Sequence, residues 1–195
     1  MKELLELPKI LYHGTTSENK QHLDLTDINK IDINYGDRFS DFSQGFYLTS
    51  IYKQALSYAR LNANRTNKIE NAKVHPVVIK YELDINGLQG SCKGKIFSKA
   101  DEQWAGFIYN NRVKSEDKCN SGFHNRNKTY DYVYGHLADG KITTAINEYR
   151  NTEVFLEEIL PKFPNNNDQI SLHSTNAISY LKFIEILHDT SYNKR

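Results

Sequence analysis

The alternation of apolar and polar residues along the chain predicts a series of strands. From Val77 to Leu83 every second position is apolar or aromatic, which is the spacing of side chains on one face of a sheet. Ile10 to Tyr12 form a shorter apolar run between Pro8 and Gly14, and such runs between turn residues also indicate strands. The predicted strands are 8–15, 46–49, 74–83, 130–135, 169–173 and 184–187.

Capping residues and helical periodicity predict the helices. Ser50 is placed as the N-cap of a helix with an apolar face at Ala55, Tyr58, Ala59 and Asn62. Asp101 is expected to cap a helix that reaches Asn111, and Ser174 or Thr175 a helix over 177–183. Further helices are predicted at 143–149 and 152–160. Between the regular elements, we expect a long loop over 18–40 and a glycine-rich turn near Gly87, Gly90 and Gly94.

Composition narrows the class of protein. The chain of 195 residues has a formal net charge of +1, 38% hydrophobic residues and two cysteines. These values favour one domain over 1–195, without a disulfide framework or a cysteine zinc site. The strands and helices predicted above make its fold class α+β. No apolar run has the length of a membrane span, and Met1 to Pro8 lack the order of a signal peptide. We therefore expect a cytoplasmic protein with no membrane partner and no metal.

Two short motifs carry the candidate chemistry. Leu11 to Thr16 has the sequence Leu-Tyr-His-Gly-Thr-Thr, and Asp41 to Ser50 has the sequence Asp-Phe-Ser-Gln-Gly-Phe-Tyr-Leu-Thr-Ser. Each joins a strand-like run to a glycine and to hydroxyl side chains. Glycine lets the backbone approach a ligand closely.

Together the two motifs resemble the NAD-binding core of the ADP-ribosyltransferase superfamily. The resemblance is strongest to small bacterial domains of this superfamily, and it implies a split β-sheet core flanked by helices. It also implies that His13 meets the adenosine ribose, that the Gly14 backbone pairs with the nicotinamide carboxamide, and that Tyr47 stacks on the nicotinamide ring. An aromatic face suits a cationic pyridinium ring.

The second motif is similar to the Phe-Gly-Lys-Gly-Ile-Tyr-Phe-Ala run of the poly(ADP-ribose) polymerase branch. That branch has a second ring-sandwiching tyrosine in the next helix, and Tyr58 stands at the matching place. It also has a serine that holds the carboxamide, where this chain has Ala55. The resemblance assigns further NAD contacts to Thr15, Gly45, Phe46 and Thr49. Arg38 precedes the second motif and Asp41 begins it, and they could face the pyrophosphate and a ribose, respectively, because guanidinium groups suit phosphate; solvation at the surface is the other interpretation of both.

A third position completes a triad of the His-Tyr-Gln type. In the superfamily it is a strand residue, often glutamate, that bonds the nicotinamide ribose. Gln169 is the best candidate here, and Ser171 is the alternative if the register lies two residues along. Glutamine can bond a hydroxyl but brings no charge. This favours a single transfer over chain elongation.

The resemblance therefore implies a mono-ADP-ribosyltransferase that uses NAD as co-substrate and modifies a protein or nucleic-acid acceptor. A toxin restrained by an antitoxin protein, or an antiphage effector, is the family-level expectation. Two alternatives stay open: a non-catalytic NAD- or ADP-ribose-binding module, and a protein-interaction subunit with a degenerate site. The basic middle region from Lys93 to Lys128 contains Phe123 and His124, where a base could stack. Glu116, Asp117 and the adjacent Asp131 dilute its charge, and a solvated face is the alternative to a nucleic-acid surface.

Overall fold

The computed structural model describes residues 6–18, 24–114, 122–138, 144 and 166–192. The strands are β1 (Ile10–Thr16), β2 (Phe46–Leu48), β3 (Pro76–Leu83), β4 (Gly94–Ile96), β5 (Tyr132–His136), β6 (Asp168–Leu172) and β7 (Leu181–His188). The helices are α1 (Tyr52–Glu70), α2 (Ile85–Ser91), α3 (Glu102–Arg112) and α4 (Thr175–Ile178), and Ile28–Lys30 form a 3₁₀ turn. The fold class is α+β, as predicted.

The strands form two sheets that separate between β1 and β2. One sheet has the order β1-β3-β7 and is antiparallel throughout. The other has the order β2-β6-β5-β4, in which only β4 and β5 are parallel. Among the residues that the structure describes, one bridge joins the two edges, where Tyr12 and Thr49 exchange backbone hydrogen bonds of 2.8 and 3.0 Å.

Apolar side chains fill the space between the sheets and cover both outer faces. Between the sheets, Leu11 and Ile79 meet Phe46 and Ile170 in one buried cluster. Helix α3 covers the other face of the second sheet, where the Trp104 indole N–H donates to the His136 carbonyl oxygen at 3.0 Å. Helix α1 covers the outer face of the first sheet.

Helix α1 lies close to β1 because small residues meet at the contact. Ala55, Ala59 and Ala63 are its buried residues. A Cβ atom built on Gly14 would collide with the carbonyl oxygen of Ala55. Gly14 is therefore required for the packing of this helix, whatever else its backbone does.

Several local predictions are wrong. The glycine-rich turn is helix α2, which Asp84 caps by accepting from the Gly87 N–H at 3.0 Å. Ser50 does not cap α1, whose N-cap is Ile51 without a side-chain bond. The helix predicted over 177–183 is only the short α4, because the chain returns to a strand at Leu181.

Other local predictions are confirmed. Asp101 caps α3 by accepting from the Trp104 N–H at 2.9 Å, and Ser174 caps α4 through the Ala177 N–H at 3.1 Å. Pro76 is the first residue of its strand, where its missing N–H is tolerated. The helices predicted at 143–149 and 152–160 lie outside the described residues, except for Thr144.

Candidate functional site

The separation of β1 from β2 leaves a gap at the Gly14 backbone. We call this the β1–β2 gap and define it by the Tyr12–Thr49 bridge, Gly14 and Tyr47. Continuing the antiparallel count from the bridge brings Gly14 opposite Tyr47. Here the His13 ring lies across the opening, with Nδ1 donating to the Tyr47 carbonyl oxygen at 2.8 Å.

The hydrogen-bond alternation of β1 fixes the direction of the Gly14 backbone. The carbonyl oxygen of Lys9 accepts from the Leu83 N–H, and the Ser17 N–H donates to the carbonyl oxygen of His75, both at 2.8 Å. The odd-numbered residues of β1 therefore bond to the β3 side, and the even-numbered residues face the opposite side. Tyr12 uses that side for its bridge. The N–H and C=O of Gly14 consequently point into the β1–β2 gap.

The hydroxyl of Tyr47 is held by the loop that precedes its own strand. It donates to the Ser43 carbonyl oxygen at 2.6 Å and accepts from the Phe42 N–H at 2.9 Å. Burial, followed by the nearby Asp41 carboxylate, raises the pKa of the Tyr47 phenol. The phenol stays protonated and fixes the ring, and the side chain as a whole is only partly buried.

Strand β6 presents the two alternative third-position residues on one face beside Tyr47. Tyr47 pairs with Ser171 across the β2–β6 ladder. Gln169 lies two residues before Ser171, so it shares that face. Both candidates are buried, and Tyr47, Ser171 and Gln169 therefore form one row beneath the loop and helix α3.

A polar cluster of Asp41, Arg112 and Gln169 lies next to this row. The Gln169 Nε2 donates to Asp41 Oδ2 at 2.7 Å, and Arg112 at the end of α3 pairs with Asp41 Oδ1. Asp41 is 4% exposed. Burial raises the pKa of this carboxyl, and the Arg112 guanidinium opposes the shift. Asp41, which was suggested for a ribose, thus has both carboxylate oxygens engaged by side chains of the protein.

The polar cluster also orients the Gln169 amide. Its nitrogen donates to Asp41 and lies 3.4 Å from the His136 carbonyl oxygen. A carboxylate and a carbonyl oxygen can only accept hydrogen bonds. The amide nitrogen is therefore committed to these two groups, and the side-chain oxygen Oε1 faces away from them.

A second buried carboxylate joins β6 to the start of α1. Asp168 accepts from the Thr49 hydroxyl at 2.7 Å and from the N–H and hydroxyl of Ser50 at 2.9 and 2.5 Å. The Tyr134 hydroxyl donates to the same carboxylate at 3.0 Å. Thr49, a predicted NAD contact, thus has a structural partner, and Asp168 sets the position of α1 relative to β6.

Tyr58 lies on the exposed side of α1. It is 57% exposed rather than part of the buried face predicted for this helix. Gln54, one turn earlier on the same helix face, donates to the Asp168 carbonyl oxygen at 2.7 Å. Tyr58 is therefore on the side of α1 that approaches β6, and its ring is accessible.

The other predicted residues fall into different environments. Phe46 is buried between the sheets, where its ring stacks on His13 with centroids 4.5 Å apart. Thr15 is buried and Arg38 is exposed. A Cβ atom on Gly45 would lie 2.6 Å from both His173 Nδ1 and Ser171 Oγ, so this glycine allows the loop to pack on β6.

Ser43 and His173, which fix the loop before β2, were not predicted from the sequence. Ser43 has a φ of 74°, the region that favours glycine, and the resembling run has glycine at this position. His173 Nδ1 donates to the Gln44 carbonyl oxygen at 2.8 Å, and burial lowers the pKa of this imidazole to about 4. Arg112 was counted only within the basic region, because no sequence signal pairs it with Asp41.

A family model described as "Protein of unknown function (DUF3990)" matches residues 9–183. The chain belongs to this family. The DUF3990 match contains both motifs, the polar cluster and the whole of β6. No curated protein and no solved structure matches the DUF3990 chain.

The described part of the DUF3990 chain has neither a metal-binding cluster nor a membrane-spanning helix. Among those residues, no group of three His, Cys, Asp or Glu side chains could hold a metal ion. None of the helices in the same ranges is both long and apolar enough to cross a membrane. A groove of about 540 Å³ lies elsewhere, between Lys9, Asp84 and Tyr180, and none of the residues that line it belongs to the β1–β2 gap.

Proposed function

We propose that this chain is an NAD-dependent mono-ADP-ribosyltransferase. The observation that carries the proposal is the β1–β2 gap, in which the N–H and C=O of Gly14 face the strand that bears Tyr47. A primary carboxamide donates through its nitrogen and accepts through its oxygen, so it needs one acceptor and one donor beside it. The C=O and N–H of Gly14 at the strand edge supply both. The gap therefore suits the nicotinamide end of NAD.

Aromatic side chains on two elements would hold the nicotinamide ring. Tyr47 is fixed through its hydroxyl, and Tyr58 presents an accessible ring from α1. The pyridinium ring of NAD is cationic before the glycosidic bond breaks and neutral afterwards. Aromatic faces favour the cationic form, so this arrangement supports binding of the substrate over retention of nicotinamide.

The row on β6 would meet the ribose. The Asp41 carboxylate holds the Gln169 nitrogen, so Oε1 is the atom that would accept from a ribose hydroxyl. Because Gln169 is only 4% exposed, this contact requires the loop before β2 to move aside. When the glycosidic bond breaks, its electron pair leaves with nicotinamide and positive charge develops on the ribose. A neutral oxygen dipole stabilises that charge less than a carboxylate does, which agrees with a single transfer to an acceptor nucleophile.

The test is incubation of the purified protein with NAD, followed by measurement of nicotinamide release and of ADP-ribose adducts on protein and RNA. Tyr58→Ala should lower the rate about fivefold or more, if stacking on a base is a fair guide. Leu61→Ala is the matched control, because Leu61 is 64% exposed on the same helix. Absence of nicotinamide release and of adducts with wild-type protein would refute the transferase.

A non-catalytic NAD-binding module is the second candidate. It is favoured by the neutral Gln169 and by Ala55, which packs against Gly14 and offers no hydroxyl to the carboxamide. Thermal denaturation with NAD separates the two candidates. NAD at about 100 times its dissociation constant should add roughly 2.7 kcal/mol to the stability of either. Stabilisation without nicotinamide release identifies the module.

A further inference from the structure

Positive charge is concentrated on one surface of a nearly neutral chain. Apart from Arg112, which pairs with the buried Asp41, the segments 93–99, 113–114 and 122–131 contain six lysines and arginines and one carboxylate, Asp131, while the whole chain has a net charge of +1. The intervening residues 100–111 add Asp101 and Glu102, and residues 115–121 add Glu116, Asp117 and Lys118 in sequence. We define the cationic stripe by Lys93, Lys95, Lys114, Arg126 and Lys128.

Aromatic rings lie beneath the cations at one end of the stripe. Lys95 Nζ is 5.5 Å from the centroid of the Phe123 ring, and Lys93 Nζ is 5.3 Å from that of Tyr130. Both rings also pack on Phe107, with centroids 5.5 and 6.4 Å from it. Phe123 and Tyr130 are only partly buried, so rings and charges are presented side by side.

The other end of the stripe reaches the loop before β2. Lys114 Nζ and the Arg126 guanidinium lie 5.9 and 5.4 Å from the centroid of the Phe39 ring. Lys128 Nζ donates to Asn34 Oδ1 at 2.6 Å. Phe39 is two residues before Asp41, so the stripe extends to the loop that holds Tyr47.

The backbone that carries Arg126 and Lys128 is held in place by one buried asparagine. Asn125 exchanges hydrogen bonds with the backbone of Tyr130 at 2.8 and 3.1 Å. Its own N–H donates to Asn111 Oδ1 on α3 at 2.9 Å. The segment is therefore ordered before any partner binds, which reduces the entropy lost on association.

We propose that the cationic stripe binds single-stranded nucleic acid. Lysine and arginine suit phosphates, and partly exposed rings suit unpaired bases that can stack on them. An acidic protein would pair with the lysines and arginines but would have no bases to stack on the rings. A duplex would also leave the rings unused, because its bases are already stacked on one another. The binding surface stands on its own contacts. Only the further statement that the bound strand is the ADP-ribose acceptor rests on the proposed function.

Fluorescence anisotropy with a labelled strand of about 12 nucleotides tests the binding surface without NAD. We compare single-stranded RNA, single-stranded DNA and duplex DNA. The triple variant Lys93→Gln, Lys114→Gln, Lys128→Gln should bind the single strands about tenfold more weakly, and its salt slope should fall by roughly 2 if three phosphate contacts are lost.

The matched control is Arg65→Gln, Lys68→Gln, Lys73→Gln, which removes the same charge from exposed positions on and after α1. It should change affinity by less than about twofold. Phe39→Ala should weaken binding about fivefold while leaving the salt slope unchanged. Equal losses in both triple variants, tighter binding of duplex, or no wild-type binding at low salt would overturn the proposal.

Ultraviolet crosslinking of the wild-type protein gives a result that does not depend on the folding of any variant. Adducts are expected on the peptides that contain Phe39, Phe123 or Tyr130. Adducts only on other peptides would overturn the assignment. Nicotinamide release is measured separately, so failure of this surface and failure of the proposed function can be told apart.

Discussion

Replacement of Gln169 by glutamate provides a sharp test of the polar cluster. The substitution introduces the residue that relatives in the resembling superfamily often carry. In this chain, however, the new carboxylate would face Asp41, whose Oδ2 lies 2.7 Å from the nitrogen that is replaced. We expect the variant to be destabilised in a pH-dependent way.

The expected magnitude follows from comparing two ways to accommodate the new carboxyl. At about 2.7 Å and an effective dielectric constant of about 20, two carboxylates repel by roughly 6 kcal/mol. Keeping the new carboxyl protonated at pH 8 costs about 5 kcal/mol, given an unfolded pKa of about 4.3. Protonation is the cheaper solution, and the acid can then donate to Asp41 as the amide did.

The sign of the pH dependence is therefore fixed. The folded-state pKa of the new carboxyl is raised above its unfolded value. The variant's loss of folding stability from this cause is therefore absent below the unfolded pKa and grows as pH rises above it. Urea denaturation should show Gln169→Glu about 1 kcal/mol less stable than wild type at pH 5 and about 3–5 kcal/mol less stable at pH 8.

Gln169→Met is the control for loss of the amide alone. It removes the donor to Asp41 without adding an acid, and should cost about 1–3 kcal/mol. Because the Gln169 hydrogen bond opposes the rise of the Asp41 pKa, this loss should also grow with pH, but less than that of Gln169→Glu. Equal stability of Gln169→Glu and wild type at pH 8 would refute the reasoning, because the carboxylates could not then be neighbours.

Two further substitutions test the packing of α1. Gly14→Ala should lower the free energy of unfolding by about 3 kcal/mol, because the new Cβ would collide with the Ala55 carbonyl oxygen. Gly90→Ala is the control: a Cβ at this position has no atom within 4 Å, so the substitution should not destabilise the protein. Thermal melts that show equal stability for these two variants would contradict the close contact. Asp189 accepts from Arg60 at 2.6 and 3.0 Å, and this pairing lowers its pKa. Asp189→Asn should therefore cost about 0.5–1 kcal/mol at pH 7. The difference should begin to shrink as pH falls below about 4 and disappear only near the lowered folded-state pKa; a difference as large at about pH 2 as at pH 7 would exclude the ion pair as its source.

Patterns within a few residues of one another predicted most of the strands. The alternation from Val77 to Leu83 gave β3, and the capping residue Asp101 gave the start of α3. The prediction from local pattern was wrong at α2. Two glycines within seven residues predicted a turn, but the buried Leu88 and the Asp84 cap stabilise a helix. Tertiary packing decided that segment.

The candidate site could be predicted only in part, because its decisive contacts join distant residues. The motifs located Gly14 and Tyr47, and strand β6 was found with its two alternative residues. The hydrogen bond between Asp41 and Gln169 joins positions 128 residues apart. No periodicity or cap reports such a contact, so the amide orientation and the role of Arg112 required the structure.

The order of the strands in the sheets has a consequence for synthesis on the ribosome. Strand β6 lies between β2 and β5, and β7 completes the other sheet, yet both come from residues 168–188. Neither sheet can close until residues 168–188 have emerged, since β2 must wait for a partner more than a hundred residues downstream. A nascent chain halted before β6 would lack Asp168 and Gln169 together, so the candidate site cannot assemble until β6 has left the ribosome.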